Sequence, residues 1–147
     1  LVFLTSAMAI GKVGGATGMN AWIASTLLPA TIPNNIIVLA LFIAVIAMII
    51  HMFMGSVIAV MGVAIPSILA FTSAMGYNAL VVIGIVYLVV AGHYILPFHH
   101  LNMLVGQGEE NGMYTQKETI KMGVPLIPVV FVTVLIQVLW WNIIGLL

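Results

Sequence analysis

Between Lys12 and Glu109 the chain carries no Asp, Glu, Lys or Arg. A stretch of that length folded in water would need a solvated surface, and this one has no charged side chain to make it from. The whole chain of 147 residues is 64% hydrophobic and 4% charged, far from the roughly 25% charged norm of soluble domains. The bilayer is the solvent this composition fits. The expected class is an all-α integral membrane protein, because lipid offers the backbone no partners and helices satisfy their own. Net charge is zero, which leaves no basic footprint for nucleic acid. Cysteine is absent, and that removes disulfides, thiolate metal sites and a cysteine nucleophile. The chain is read as a non-enzyme. Its start, "LVFLTSAMAIGKVGG", has no basic region ahead of the apolar part and no initiator methionine, so it does not resemble a secretory signal. The last residues, "WWNIIGLL", look like the end of a final span. The expectation is a C-terminal piece of a longer protein.

Length divides the apolar stretch. A hydrocarbon core of about 30 Å takes around 20 helical residues to cross. Residues 36 to 50, "IIVLALFIAVIAMII", would rise only about 22 Å as a helix, and continuing to residue 71 would give about 54 Å in one rod. The first length is short for a crossing and the second too long for ordinary tilt. The polar, flexible cluster His51, Gly55 and Ser56 is where such a chain can turn, so residues 36–72 are expected to form a re-entrant helical hairpin with its tip near 51–57. "PNN" at 33–35 opens it and "TSAMGYN" at 72–78 closes it, with Pro early in the helix and Asn as a cap. Residues 79–116 are expected to be a broken transmembrane helix. Pro97 removes a backbone donor, Gly106 and Gly108 free the backbone further on, and the unwound part is placed at 97–108. "MYTQKETIKMG" marks the water boundary, and residues 117–147 are the last transmembrane helix, with Trp140 and Trp141 suited to the far interface. Residues 1–35 read as a short span or an interfacial helix with Trp22 near the headgroups. Lys117 and Lys121 put the loop before the last span on the cytoplasmic side of a plasma (inner) membrane.

Irregular backbone at membrane depth costs several kcal/mol for each unsatisfied group unless it lines protein or a water-filled cavity. One break is most simply a kink. Two breaks, each with polar side chains, match the construction of secondary transporters, where half-helix N-termini meet anionic groups and freed carbonyls hold cations. His51, His93, His99 and His100 are the groups in the apolar region that titrate near neutral pH, and intramembrane ionisable groups are functional candidates. His51 and His99 are therefore candidates for proton linkage, although His51 could equally cap a neighbouring helix end. If the backbone is extended at His99 and His100, only one of the two can face a given cavity. Asn102 carries an amide that needs partners on both its donor and acceptor sides. Ser56 could simply bond its own helix. The ten methionines read as packing.

The order of these parts, a short run, a hairpin tip, a second arm with a proline, another span, a break with Asn and Gly, then "KETIKMGVPL" opening the last helix, resembles the C-terminal part of the divalent anion/sodium symporter family, within the wider superfamily of arsenite and sodium/proton transporters. The resemblance covers almost all of the chain. In sodium-coupled members the tip reads Ser-Asn-Thr with a proline ten positions after the serine. Here Ser56 and Pro66 take those places, while Val57 and Ile58 stand where Asn and Thr would be. "HMFMGSVIA" is similar to the tip of the citrate, succinate, tartrate and oxoglutarate exchangers, with His51, Phe53, Ser56 and Ala59 matching and Ile58 and Val60 departing. At the second break "HLNMLV" keeps Asn102 and Val105 and has His100 and Leu101 in place of two prolines.

The resemblance implies one inverted repeat of an elevator transporter, usually a homodimer, with the other repeat in a missing N-terminal half. The expected function is secondary active transport of a small anion, a di- or tricarboxylate, by cation symport or anion exchange. Substrate would meet Gly55, Ser56 and Val57 at the tip and His100 and Asn102 at the second break. Gly55, Ser56 and Gly106 would hold a cation, with Na+ as the candidate coupling ion; no resident cofactor or metal is expected. The rivals are a membrane redox protein in which two of the histidines ligate haem or a metal, His51 with His93 for example, and a scaffold piece that transports nothing.

Overall fold

A computed structural model of the chain describes residues 5, 9, 12–27, 35–54, 56–96, 99–107 and 112–147. The regular structure among them is helical. Helix α1 is Met19–Leu27, α2 is Ile36–Met54 and α3 is Val57–Thr72, which runs into a 3-10 turn at Ser73–Met75. Then come α4 at Ala79–Ala91, the short α5 at Leu101–Gly106 and α6 at Gln116–Ile143.

Local chemistry sets where these helices start. The first N–H groups of a helix have no partner inside it, and a short oxygen-bearing side chain just ahead supplies one. The Asn35 carboxamide oxygen accepts from the backbone N–H of Ile37 at 2.9 Å and of Val38 at 3.4 Å. Asn78 accepts from the N–H of Leu80 at 3.0 Å ahead of α4. Thr115 opens α6 with a reciprocal pair: its hydroxyl accepts from the Glu118 N–H, and the Glu118 carboxylate accepts from the Thr115 N–H at 2.7 Å. Gly76 ends the 3-10 turn at φ 77, a left-handed conformation that costs a residue without Cβ nothing.

Packing then follows from which faces are small or branched. Helix α2 buries Leu39, Ala40, Ile43, Ala44 and Ala47, one stripe at helical spacing. Helices α2 and α3 both pack on α4, and α6 packs on α2 and α4. Helix α4 sits at the centre and buries Val81, Val82, Ile85, Val86, Val89 and Val90. Val60, Ala64 and Ile68 of α3 and Val130, Val134 and Val138 of α6 complete the same cluster. The outer face of α6 presents Val129, Val132, Ile136, Leu139 and Ile143 to its surroundings, a stripe that suits lipid and would be a liability in water. Two helices, Ile36–Met54 and Gln116–Ile143, are long and apolar enough to cross a membrane.

The structure differs from the sequence reading in two places. The run 36–50 reads as too short to cross, but α2 continues through His51 to Met54, within the expected tip region, and its 19 residues make about 28 Å of helix, which is a crossing length. The irregular backbone of the second break begins earlier than 97, and part of the 97–108 stretch is helical. Gly92 terminates α4, residues 93–96, 99 and 100 are non-helical, and 101–106 form the extra helix α5. The reason lies at Gly92 and in the histidine contacts described next. Gly55, Pro97, Gly108, Glu109 and Glu110 lie outside the described residues.

Candidate functional site

His51 lies in the last turn of α2 and is fully buried. The ends of α2 and α4 meet there, because His93, two residues beyond α4, brings its ring against that of His51 with Nδ1 to Nδ1 at 3.3 Å. His93 and His99 are also buried. The His99 ring stacks on His51 with centroids 4.5 Å apart and lies 4.8 Å from that of His93. His100 stands at 5.8 Å, edge-on to His51, and stacks on Tyr94 at 4.4 Å. The four imidazoles of the apolar region thus collect in one place, from the end of one helix and the break after another. One nitrogen from each of His51, His93 and His99 falls within 4.8 Å of the others.

The break is held open by bonds that replace the lost helical ones. His99 Nδ1 accepts from the backbone N–H groups of Ile95 and Leu96, each at 3.3 Å, which places the ring proton of neutral His99 on Nε2. The carbonyl of Ile95 accepts from the Gln116 carboxamide at 2.9 Å. Helix α6 comes in so close that a Cβ on Gly123 would run into the Tyr94 carbonyl. Gln107 at the end of α5 donates to the Thr119 hydroxyl at 2.8 Å. The polar start of α6 therefore braces the break, and the N–H groups of Ile95 and Leu96 and the Ile95 carbonyl find partners, as buried backbone groups must.

Other nitrogens in the cluster do not. Nε2 of His51, His93 and His100 is buried with no hydrogen-bond partner among the described residues. Such orphans typically cost about 1–3 kcal/mol each and call for an explanation.

The remaining candidates from the sequence fall as follows. Ser56 stands between α2 and α3 in extended conformation, φ −137 and ψ 121, and its hydroxyl makes no capping bond. Val57 is the first residue of α3. His100 caps α5 through its backbone, without a side-chain bond. Asn102 is on the first turn of α5, with its side chain outside the described residues. Gly106 ends α5 against the Tyr114 ring. Of the substrate, cation and proton candidates, the structure brings His51, His99 and His100 together and adds His93, which the sequence reading offers only as a haem or metal ligand beside His51. Gln116 and Gly123 were not legible as site-bracing residues: a Gln in a polar turn and a Gly in "KMGVPL" carry no signal of what they approach. No family model, curated protein or solved structure matches the chain.

Proposed function

We propose that the chain is part of a membrane carrier for a small anion, a di- or tricarboxylate, moved by cation symport or by exchange for another anion. The observation that supports it best is the convergence of the two interruptions of helix: the end of α2 and the break after α4 meet in one polar cluster inside an otherwise Val, Ile and Ala core. Chains tolerate irregular backbone and buried imidazoles in apolar surroundings where these line a binding site. In this reading Gly55, Ser56 and Val57 offer backbone amides and a hydroxyl at the first interruption, and His100 and Asn102 face the substrate at the second. Carbonyls near Gly55 and Gly106 hold the coupling cation, Na+ being the first candidate. Helices α2 and α3 act as a hairpin, the working unit is a homodimer completed by a further repeat, and the setting is the plasma (inner) membrane. The anion preference itself rests on the resemblance to the divalent anion/sodium symporters. The haem alternative draws no support from the geometry, since His51 is in contact with His93 and covered by His99 at 4.5 Å, where a macrocycle would need an open slot.

Vesicles reconstituted with the protein that carries this chain, given labelled succinate, citrate or sulfate with and without a sodium gradient, test the proposal. Saturable uptake of a carboxylate is expected, and Asn102→Ala is expected to reduce it to the level of empty vesicles with membrane insertion intact. No uptake above empty vesicles for any of the three anions, under either gradient, overturns it.

A further inference from the structure

We propose that His51, His93 and His99 form a site for one borderline divalent transition-metal ion, of the chemistry of Zn2+, Co2+ or Ni2+. This inference does not depend on the transport reading.

Two nitrogens each about 2.0–2.1 Å from a tetrahedral zinc stand about 3.3–3.4 Å apart. Nδ1 of His51 and Nδ1 of His93 are 3.3 Å apart, so one edge of that tetrahedron is already in place, with its two corners on different elements. A shared proton between the two rings fits the same separation. It serves only one pair of rings, however, while one nitrogen of each of the three rings lies within 4.8 Å of the other two, and a cation is the partner that engages all three at once. His99 supplies the third nitrogen, which lies within 4.8 Å of those of His51 and His93 and needs to close by up to about 1.4 Å to reach ligand geometry. Neutral imidazole is the ligand in each case. Where His51 and His93 share a proton, the donor ring passes it from Nδ1 to its own Nε2 as the metal binds, so no net proton leaves the pair.

The donor set argues for the ion class. Three nitrogens without a carboxylate or thiolate among the described neighbours suit Zn2+, Co2+, Ni2+ or Cu2+ and not Na+, Mg2+ or Ca2+, which take oxygen ligands. The surroundings argue for occupancy. Three buried imidazoles in an apolar core are costly. The backbone that carries them is fixed by Gln116 to Ile95 and by the close approach of Gly123 to Tyr94, as supports of a ligand set should be. A fourth coordination position is left for water or an exogenous oxygen ligand. A bound divalent ion would also supply positive charge to a region with no Lys or Arg from residue 13 to 116.

The test uses the intact protein that carries this chain, purified in detergent, stripped with chelator and titrated with Co2+ alone as the optical probe. Visible bands of four- or five-coordinate cobalt are expected to saturate at one ion for each copy of this site and to vanish when Zn2+ is added. His51→Ala, His93→Ala and His99→Ala are each expected to weaken binding at least tenfold, and the triple variant to abolish the bands. Cobalt that keeps its octahedral aquo spectrum with the unaltered protein, or a triple variant with undiminished bands, overturns the proposal. Because loss of buried rings can unfold a chain, X-ray absorption of the unaltered protein loaded with one equivalent of Zn2+ provides a second reading. Scattering from three imidazoles supports the site, and a shell of oxygens without imidazole overturns it.

Discussion

Gly84 and Gly123 show how two residues of the same type differ in what they allow. A Cβ on Gly84 would lie 2.5 Å from the far edge of the Trp141 ring, and a ring at the end of a side chain can swing aside. A Cβ on Gly123 would meet the Tyr94 carbonyl, which belongs to backbone already fixed between His93 and the Ile95–Gln116 bond. Gly84→Ala also gains helix propensity, up to about 1 kcal/mol in a helix interior, against the repacking of Trp141. Gly123→Ala gains the same and must push α6 from the break, at an overpacking cost of about 1–3 kcal/mol. The thermal unfolding midpoint of the detergent-purified protein is expected to fall for Gly123→Ala and to stay near that of the unaltered chain for Gly84→Ala. Equal midpoints for the two variants would refute the assignment of Gly123 as a contact point. At this scale the sequence is informative about chemistry and silent about approach. The four histidines stand out by composition, because nothing else in the apolar stretch titrates near neutrality, but their meeting depends on how α2 and α4 pack. The partners of Gly123 depend on it in the same way.

Helix limits were legible where a side chain sets them and obscure where the tertiary structure does. "PNN" announces the start of α2, and Asn35 does cap it; "TQKE" at 115–118 carries the Thr-x-x-Glu signature of a capping box, and Thr115 and Glu118 form one at the start of α6. The break after α4 shows the other case. Pro97 and Gly106 draw attention to 97–108, yet Gly92 ends the helix first and His99 accepts the N–H groups of Ile95 and Leu96, so the irregular part shifts toward the N-terminus. A side chain that bonds backbone in this way competes with the helical ladder, and it cannot be located without the fold. The capping box at α6 gives the element-scale prediction. Thr115→Ala removes the acceptor for the Glu118 N–H and is expected to cost about 1 kcal/mol, read as a lower unfolding midpoint at neutral pH. An unchanged midpoint would mean that the box does not hold the start of α6.

At the scale of the molecule, composition points to lipid as the solvent and leaves the orientation to three lysines. Lys12, Lys117 and Lys121 are the only Lys or Arg side chains, and two of them stand at the start of α6, so an excess of positive charge on the cytoplasmic side is expected to put that end of α6 inside and the Trp140–Trp141 end outside. The apolar face of α6 between them, with Ile136 at 62% exposure, is then expected to face lipid. The lack of cysteine in the chain makes the arrangement easy to probe, since each introduced thiol reports only its own position. Met113 is 87% exposed in the segment just before Thr115. Met113→Cys is expected to react with a membrane-impermeant maleimide in inside-out vesicles and not in intact cells; Asn142→Cys, exposed near the other end of α6, is expected to do the reverse, and Ile136→Cys to react from neither side. Reaction of Met113→Cys and Asn142→Cys from the same side would mean that α6 does not cross. Both reacting from the sides opposite to these would keep the crossing and turn the molecule over, with the consequence that the histidine cluster, near the Lys117 end of α6 through Gln116 and Ile95, would lie nearer the outer surface than the inner one.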